Sequence, residues 1–514
     1  MNTLKALYNK FPKPDNWKLW ILISLVIKSL FIIYFMSMVH SYGHDFWGFN
    51  YKGSFAKAGG DTPSYFQPIE NLISNGKYAD DHRMPGYGWL YYFCRLIFNP
   101  TLSFNIIIFV QLLFSAISVY ILGLISLIIF DKKICFYFTY FLYLLSTFVS
   151  IYDYVLMTES LTVSTLIIAI YLFLLFVVKK KPQFLFYSGL FITWSIFLRP
   201  IIFPVLIIFT FFLLIDFIKT KATGKKIIKY FLILLIPFLI IDGLWVYRNY
   251  KLYGKFYPFQ KSSAYASVMS GYGIHAFNFV SSFGGHLPFW ESNSELIYFI
   301  PESNLFYENQ GKDTSLSLIP PYVYTSAFNK DSLLNIRKMI IKLYNSETIK
   351  KDNKEIENLI IRKFDAYKSS IKYEKPMLFY VFSRLIILNK FFVYTDYGFG
   401  YIWYYWDLKN NYKLFNIYKI FSSLVYYFIV VFGFIGCFVL TLRKSFLKVN
   451  NYVFLISTIT IYLTFVYPFI FLLSENRYFV TTYPLFVITI NSLLLLIMKL
   501  LLMNKRVIKN VVRN

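Results

Sequence analysis

The chain has few of the residues from which soluble enzymes build their sites. Only 15% of its 514 residues are charged, and it contains three cysteines and five histidines. The cysteines, Cys94, Cys135 and Cys437, are far apart, so they form neither a disulfide framework nor a CxxC metal motif. No glycine-rich segment has the pattern that cradles the phosphates of a nucleotide. These absences argue against redox chemistry and against a Rossmann-like nucleotide site.

Acidic residues are also scarce, and most of the charge is positive. The chain has 52 Lys and Arg against 26 Asp and Glu, a net charge of +26. It is 57% hydrophobic and 22% aromatic, its mean hydropathy is +0.52, and long apolar runs recur along its length. This composition is typical of a polytopic helical membrane protein. Much of the positive charge lies in short connections, where it sets membrane topology, so we predict no nucleic-acid partner.

The apolar runs predict an all-α bundle of about ten transmembrane helices. The predicted spans lie near residues 19–39, 102–130, 134–150, 155–178, 183–199, 201–218, 227–246, 416–442, 451–473 and 478–502. Alternate connections carry the basic residues, among them Lys132–Lys133, Lys179 to Lys181 and Lys219 to Lys229. Under the positive-inside rule, both termini are therefore cytoplasmic. Lysines precede the first run and no small-residue cleavage site follows it, which predicts an uncleaved signal anchor.

Two polar regions remain on the external side, residues 40–101 and 247–415. They divide the chain into three parts. An N-terminal transmembrane module, 1–246, contains the first external loop, 40–101. The large external region, 247–415, is followed by C-terminal transmembrane helices and a basic tail, 416–514.

Segment 377–394, inside the large external region, is apolar enough to cross the membrane. It carries Arg384 and Lys390, which would be costly to insert, and a crossing there would invert the topology of the basic tail. We therefore predict that this segment is a helix lying at the membrane interface.

The first external loop contains the stretch GGDTPSYFQPIENLISNGKYADDHRMPGYG, from Gly59 to Gly88. Pro63 suits the first turn of a helix and Gly76 the left-handed residue that ends one, so we predict a short interfacial helix here. Asp61 would then lie at the positive end of a helix, which favours its ionised form. Two interpretations stay open: Asp61 only caps the helix, or it is a base that accepts a proton from a bound hydroxyl.

Other ionisable residues are predicted at the same membrane depth as Asp61. They are Arg83 in the first loop, Asp153 and Glu159 around the start of the fourth span, Arg199 at the end of the fifth, Arg248 after the seventh, and Glu475 and Arg477 before the last. Each alone is usual as a topology or snorkelling residue. Together they form a face of acids and arginines that suits an anionic, membrane-embedded substrate such as a lipid phosphate.

These residues belong to short motifs that follow one another along the chain. The motifs are Asp61 with Tyr65 and Gly76, RMPGYG from Arg83 to Gly88, TESL with Glu159, Arg199–Pro200, Arg248–Asn249, and Glu475 with Arg477, Tyr478 and Pro484. In this order they resemble the motifs of the GT-C superfamily of membrane glycosyltransferases. The likeness is to bacterial relatives of protein O-mannosyltransferases and of the lipid A aminoarabinose transferase. Two features depart from it: Thr62 stands where many relatives have a second acid, and the large external region matches no domain of the family.

The resemblance implies a GT-C-like fold that transfers a sugar from a polyprenyl-phosphate donor to an acceptor hydroxyl, with inversion, on the external face of a bacterial inner membrane. Asp61 is implied as the general base, and Glu159 as a catalytic residue that orients hydroxyls or a basic partner. The implied phosphate ligands are Arg83, Arg199, Arg248 and Arg477, and the implied substrate-binding residues are Tyr65, Asp153 and Glu475. No cofactor is required, and the acceptor is a protein, a lipid or a glycan.

Two other classes of membrane protein stay open. One is an envelope polysaccharide polymerase or ligase that uses a lipid-diphosphate donor. The other is a transporter or flippase for lipid-linked saccharides, which would favour charges near the bilayer midplane and broken helices in paired halves. The predicted charges lie at the outer edge instead, which favours an enzyme.

Two features have no implied role in transfer. His82, His275 and His286 are external but lack the spacing of metal ligands, so we predict no metal site, although a bound divalent ion stays open. Lys28, in the middle of the first span, is expected to snorkel or to pair inside the bundle.

Overall fold

The computed structural model describes residues 12–41, 51–78, 83–259, 271–285, 296–299, 318–345, 350–393, 413–442 and 452–511. These residues are almost entirely helical, and apart from two isolated bridges they contain no β-structure. The α-helices are α1 (Trp17–Ser41), α2 (Thr62–Asn75), α3 (Gly88–Arg95), α4 (Pro100–Phe130), α5 (Lys133–Leu145), α6 (Thr147–Ser150), α7 (Glu159–Lys179), α8 (Pro182–Leu198), α9 (Phe203–Lys219), α10 (Gly224–Tyr253), α11 (Gly273–Ser281), α12 (Leu296–Phe299), α13 (Lys330–Asn345), α14 (Lys350–Glu374), α15 (Ser383–Val393), α16 (Lys413–Leu442), α17 (Val453–Phe465) and α18 (Tyr483–Val511). The 3₁₀ turns lie at Tyr51–Gly53, Ile151–Tyr154, Pro200–Ile202, Pro321–Val323 and Asn476–Thr481, and π-helical turns at Leu378–Phe382 and Val466–Phe471.

Among the described residues, eight helices are long and apolar enough to cross a membrane, and up to ten if each of two bent pairs counts as one span. The predicted polytopic helical membrane protein is therefore confirmed. The predicted span at 183–199 is the shorter apolar helix α8, which has 17 residues.

The two bent pairs fall at different places relative to the predicted spans. Lys133–Leu145 and Thr147–Tyr154 meet at 46° and occupy the predicted span at 134–150. Lys354–Glu374 and Leu378–Val393 meet at 108°, and the second of these helices covers the segment that we predicted to be interfacial. Its position relative to a bilayer stays a prediction.

Local sequence signals set the helix ends. Asn99 accepts a hydrogen bond from the backbone N–H of Leu102 at 2.8 Å, and Pro100 occupies the first turn of α4. At the other end of α4, Asp131 has the left-handed conformation, with φ 52°. The helix predicted in the first loop is confirmed as α2, which continues through Pro68 and ends at Gly76 with φ 66°.

The described helices belong to two compact units. The first comprises residues 1–261, 399–463 and 479–514. Within it α7 is the most buried of the eight apolar helices, with 78% of its apolar window inside the protein, and it packs against α4 and α8. Glu159, the first residue of α7, therefore lies at the end of the central helix of this unit.

The second unit comprises residues 262–398 and 464–478. It contains α13 and α14, which are two helices of the large external region. Its core includes a group of packed aromatic rings, namely Phe279, Phe328, Phe364 and Tyr367. The bend between α14 and α15 lies in this unit.

Candidate active site

Two segments of the first unit run side by side and lead into α2 and α7. Lys57 forms a parallel bridge with Val155: its N–H bonds the carbonyl of Tyr154 at 3.0 Å, and its carbonyl accepts the N–H of Leu156 at 2.8 Å. The side chain of Lys57 is buried, which lowers its pKa to about 6.

The same pairing sets the positions of two acids. Asp61 follows Lys57 by four residues and precedes α2, and Glu159 follows Val155 by four residues and begins α7. Both acids are thus placed at the N-terminal ends of helices, where the helix dipole is positive.

Thr62, the residue that stands where many GT-C relatives have a second acid, joins these two segments. Its hydroxyl accepts the N–H of Gly59 at 2.7 Å and donates to the carbonyl of Leu156 at 2.9 Å. A Cβ on Gly59 would lie 2.3 Å from the sulfur of Met157, so a larger residue there would require the Met157 side chain to move. Thr62 therefore has a structural role in holding α2 against the chain that precedes α7.

Asp61 is at the N-cap position of α2, but its side chain makes no capping hydrogen bond. It forms an ion pair with Arg83 at 2.6 Å instead, and about a quarter to a fifth of each side chain is exposed, 24% for Arg83 and 20% for Asp61. Arg83 also donates to the hydroxyl of Ser64 at 3.0 Å, and its guanidinium lies 5.0 Å from the ring centroid of Tyr65. The carboxylate is therefore held by a cation, and the role of Asp61 as a base stays a prediction.

Glu159 and Arg199 form a second ion pair, which is far more buried. None of the Glu159 side chain and 11% of the Arg199 side chain is exposed. Arg199 Nε also donates to the hydroxyl of Thr158 at 3.1 Å. Arg199 is extended at the C-cap of α8, where the chain leaves that helix before Pro200. The TESL and RP motifs of the sequence thus meet in one contact.

Tyr65 lies near both ion pairs. Its side chain is buried, and burial raises its pKa; Arg83 and Arg199 act to lower that pKa, while Asp61 and Glu159 act to raise it. All four charges are thus close enough to act on one phenol. The structure therefore brings together five of the residues singled out in the sequence.

The glycines of RMPGYG fix this element between α2 and the end of α8. A Cβ on Gly86 would lie 2.5 Å from the carbonyl carbon of Phe197, and the Gly86 N–H bonds the Phe197 carbonyl at 3.2 Å. A Cβ on Gly88 would lie 3.0 Å from the carbonyl oxygen of Tyr65. Tyr87 between them packs edge-on against the Tyr65 ring at 5.4 Å. The motif is thus a close-packed connector between the two ion pairs.

A second contact fastens α2 to α3. Glu70 of α2 accepts hydrogen bonds from Tyr91 and from Arg95 Nε, the latter at 2.9 Å. Burial acts to raise the pKa of Glu70, but the hydrogen bonds from Arg95 and Tyr91 and the positive charges of Arg95 and Lys52 outweigh it and lower the pKa. This cluster holds the loop helices to each other.

Asp153, which the resemblance implied as a substrate-binding residue, has different surroundings from those expected. Its side chain is 0% exposed and pairs with Lys28 of α1 at 3.0 Å. Its carboxylate is therefore inaccessible to a substrate in this arrangement. For Lys28, the expectation of pairing inside the bundle is confirmed.

Arg248, implied as a phosphate ligand, lies near the end of α10. Its guanidinium donates to the carbonyl of Tyr78 at 2.7 Å and to Asn249 at 2.8 Å, and it lies 4.6 Å from the centroid of the Trp245 ring. These contacts hold the part of the first loop that follows α2 near α10. A role for Arg248 in phosphate binding stays a prediction.

Glu475 and Arg477 belong to the second unit. Glu475 is 1% exposed, and Arg477 lies 5.0 Å from the ring centroid of Tyr478 and donates to its hydroxyl at 3.2 Å. Asn476 between them donates to the carbonyl of Phe391 at 3.0 Å. The implied roles of Glu475 and Arg477 at the catalytic site stay predictions.

Within the described part of the chain, no group of three or more His, Cys, Asp and Glu side chains could hold a metal ion. His82 and His286, together with the acidic residues Asp80 and Asp81, lie outside that part. His275 contacts Asp365 at 2.8 Å in the second unit.

Sequence reasoning missed Gln111, a buried amide in the middle of α4. Its Oε1 accepts a hydrogen bond from Tyr87 at 2.5 Å. Its Nε2 lies within 3.0 to 3.2 Å of three carbonyl oxygens of the turn before α7, those of Tyr152, Asp153 and Val155. A lone amide in so long an apolar run was the available signal, because a buried polar group needs partners.

An apolar groove of about 450 Å³ adjoins the RMPGYG element. Its walls come from α3, α8 and α10 and include Trp89, Phe93, Trp194 and Ile241. Gly86 and Phe197, which contact each other, also line the groove. Phe197 precedes Arg199 by two residues, so this end of the groove lies close to Arg199 in the sequence.

No protein-family model and no curated protein matches the chain. The fold is similar to two solved structures of an oligosaccharyltransferase from Archaeoglobus fulgidus. One is the archaeal enzyme AglB in complex with an inhibitory peptide and a dolichol-phosphate, with a TM-score of 0.43; the other is the apo form, with a TM-score of 0.45. In both cases the identity is 14%, and the match covers 96% of this chain and 52% of the other, so the chain spans about half the length of those proteins. At these scores the side chains of the site, and not the likeness, are the basis for assigning a function.

Proposed function

We propose that this protein is a membrane glycosyltransferase that moves a sugar from a polyprenyl-phosphate-linked donor to a hydroxyl group of an acceptor. The observation that carries the proposal is the presence of two acid–arginine pairs, one partly exposed and one buried, at the starts of α2 and α7, which the Lys57–Val155 bridge and the Thr62–Leu156 bond hold side by side. Acids at such a place supply a base, and arginines supply ligands for a phosphate.

Asp61 is the general base in this proposal. The acceptor O–H gives its proton to the Asp61 carboxylate while the acceptor oxygen attacks the anomeric carbon from the side opposite the phosphate. The bond between that carbon and the phosphate oxygen breaks, and its electron pair leaves with the lipid phosphate. The product is an inverted glycoside, and arginine charge stabilises the leaving phosphate.

Arg83 and Arg199 have different parts in binding that phosphate. Arg83 is the more exposed cation and is held by Asp61, so an incoming phosphate competes with the carboxylate for its guanidinium. Donor binding would then free Asp61 to accept a proton from the acceptor. Arg199, fixed by Glu159 and Thr158, supplies charge that does not move.

The groove beside Gly86 supports a lipid-linked donor. Its lining is apolar and aromatic, and it adjoins the element that carries Arg83. An isoprenoid chain in this groove would bring its phosphate towards the arginines, because the chain gains from burial against apolar surface.

The acceptor hydroxyl belongs to a protein, a lipid or a glycan in this proposal. The site opens on the external side of a bacterial inner membrane, with both termini cytoplasmic. This orientation follows from the distribution of lysines in the connections.

Transfer from labelled polyprenyl-phosphate sugars tests the proposal directly. The purified protein in lipid nanodiscs is given hexose- and pentose-bearing donors, with solubilised cell-envelope extract as the source of acceptors. We expect Asp61→Asn to reduce transfer by about 10²- to 10⁴-fold, the usual contribution of a general base. Asp216→Asn is the matched control, because Asp216 is also paired with a cation, Lys180 at 2.6 Å, at the end of α9.

Full turnover by Asp61→Asn would show that Asp61 is not the base. Transfer from polyprenyl-diphosphate donors alone would identify a polymerase or ligase. Movement of the intact labelled lipid across the bilayer, with no new glycosidic bond, would identify a transporter.

A further inference from the structure

Lys28 of α1 is a charged residue inside the membrane bundle, and only 1% of its side chain is exposed. Its ammonium group lies 3.0 Å from Asp153 Oδ2 and 2.8 Å from the hydroxyl of Ser150. A buried ion pair adds little net stability, because the cost of removing two charges from water offsets their attraction. Ionisable groups within membrane helices often serve function instead.

The pair is joined directly to the start of α7. The hydroxyl of Ser160 donates a hydrogen bond of 2.6 Å to Asp153 Oδ1, so both carboxylate oxygens of Asp153 are engaged. Ser160 is the residue after Glu159. The position of Glu159 therefore depends on Lys28 through only two contacts.

Gln111 holds the opposite side of the same chain segment. Its amide reaches the carbonyls of the 3₁₀ turn Ile151–Tyr154 from α4, while Lys28 holds that turn from α1. Two membrane helices thus fix the turn that leads to α7. This arrangement resists displacement of α7 by the charge of a bound substrate.

We propose that Lys28 is a positioning residue: its ion pair with Asp153 keeps Glu159, and through it the Arg199 guanidinium, in the geometry that the transfer reaction needs. The inference rests on the proposed function, since it assigns a role within that reaction. Lys28 acts here through Asp153, Ser160 and Glu159 and has no contact with the reacting atoms.

A double substitution separates positioning from stability. Lys28→Met with Asp153→Leu removes the pair without leaving a lone buried charge, and such replacements are often neutral for stability. We expect the folded variant to keep its thermal unfolding temperature but to lose about 100-fold in kcat, the scale of a misplacement by about 1 Å, with a smaller change in donor KM. The matched control is Lys180→Met with Asp216→Leu, which removes a pair of the same residue types from exposed helix ends and should leave kcat unchanged.

A milder substitution tests the link to α7 without any measurement of activity. Ser160→Ala removes only the hydrogen bond to Asp153, and Ser188→Ala removes a comparable buried bond, from Ser188 to the carbonyl of Ala169 at 2.9 Å. Amide hydrogen exchange is followed by mass spectrometry in peptides that cover residues 151–162. We expect faster exchange there in Ser160→Ala than in Ser188→Ala, because the start of α7 is then less restrained.

Different outcomes would contradict the positioning role of Lys28 and the proposed function. Unchanged kcat in the Lys28 and Asp153 double variant, or equal exchange in the two serine variants, would overturn the positioning role. A wild-type protein that transfers no sugar would overturn the proposed function, and the exchange measurement would still decide whether Asp153 restrains the start of α7 through Ser160.

Discussion

The Asp61–Arg83 and Glu159–Arg199 pairs consist of the same chemical groups in different surroundings. The first has about a fifth to a quarter of each side chain exposed, whereas Glu159 is fully buried and Arg199 nearly so. An exposed ion pair is worth little, and water can replace either partner at small cost. A buried pair cannot be opened without leaving a charge in apolar surroundings.

This difference separates a part of the site that can exchange partners from a part that stays fixed. In the proposed reaction, Arg83 leaves Asp61 for a substrate phosphate, which frees the carboxylate. Arg199 stays with Glu159 and provides a constant positive charge. A site that binds an anion and also needs an ionised base benefits from one pair of each kind.

Breaking the buried pair should give the largest effect on stability. Arg199→Met leaves Glu159 buried without a cation, and we expect a loss of about 3 to 5 kcal/mol in the free energy of unfolding. Equilibrium unfolding in mixed detergent micelles measures this loss. The double variant Glu159→Gln with Arg199→Met should recover most of it, and failure to recover would mean that Arg199 acts through other contacts.

A side chain added to the RMPGYG element, which lies between the two ion pairs, should have an intermediate effect on stability. Gly86→Ala places a methyl group 2.5 Å from the Phe197 backbone, so the RMPGYG element or the end of α8 has to move, at a cost of about 1 to 3 kcal/mol. Gly243→Ala in α10 is the matched control, since a Cβ there meets nothing within 4 Å. If both variants unfold at the same denaturant concentration, the close approach at Gly86 is not a constraint.

Breaking the exposed pair should affect donor binding more than stability. We expect Arg83→Gln to cost less than about 1 kcal/mol of folding free energy. The same change should raise the donor KM by about 10- to 100-fold, because one charge-assisted hydrogen bond to phosphate is lost. Lys77→Gln, an exposed basic residue of the same loop, is the control. An unchanged donor KM in Arg83→Gln would assign the phosphate to other cations.

The smallest expected effect is a pH dependence at the contact between α2 and α3. The pKa of Glu70 lies below its ordinary value of 4.5, so its contribution to stability is complete above that value and is lost as the pH falls through the folded-state pKa. Glu70→Gln should flatten the loss of thermal stability between about pH 5 and pH 3, by about 1 kcal/mol at most. Glu355→Gln, exposed on α14, is the control and should leave the slope unchanged. An equally steep loss in Glu70→Gln would assign the acid sensitivity to other carboxylates.

The sequence was sufficient to predict α2 in the first loop and to single out Tyr65 and the four charged residues that lie around it. Pro63 and Gly76 are local signals, and they mark the start and end of α2 correctly. The residues around Tyr65 were found because ionisable groups are rare in an apolar chain, so their common depth is informative.

The pairing of those residues could not be predicted, because it depends on contacts between distant parts of the chain. Asp153 and Glu159 are six residues apart and both precede or begin the same helix, yet Asp153 faces α1 and Glu159 pairs with Arg199. The 3₁₀ turn Ile151–Tyr154, which contains Asp153, and the chain from this turn to α7 set the partner that each acid faces. The hydrogen bond from Thr62 to Leu156 likewise joins residues 94 positions apart, and no local sequence pattern predicts it.

The parallel bridge between Lys57 and Val155 limits the insertions and deletions that the gene can accept at these two places. Four residues separate each bridge position from its acid, Asp61 on one segment and Glu159 on the other. An insertion of one residue into either spacer would shift its acid by about 3.3 Å along the chain while the other stayed in place. The two spacers should therefore not tolerate independent insertions or deletions, although they lie almost a hundred codons apart.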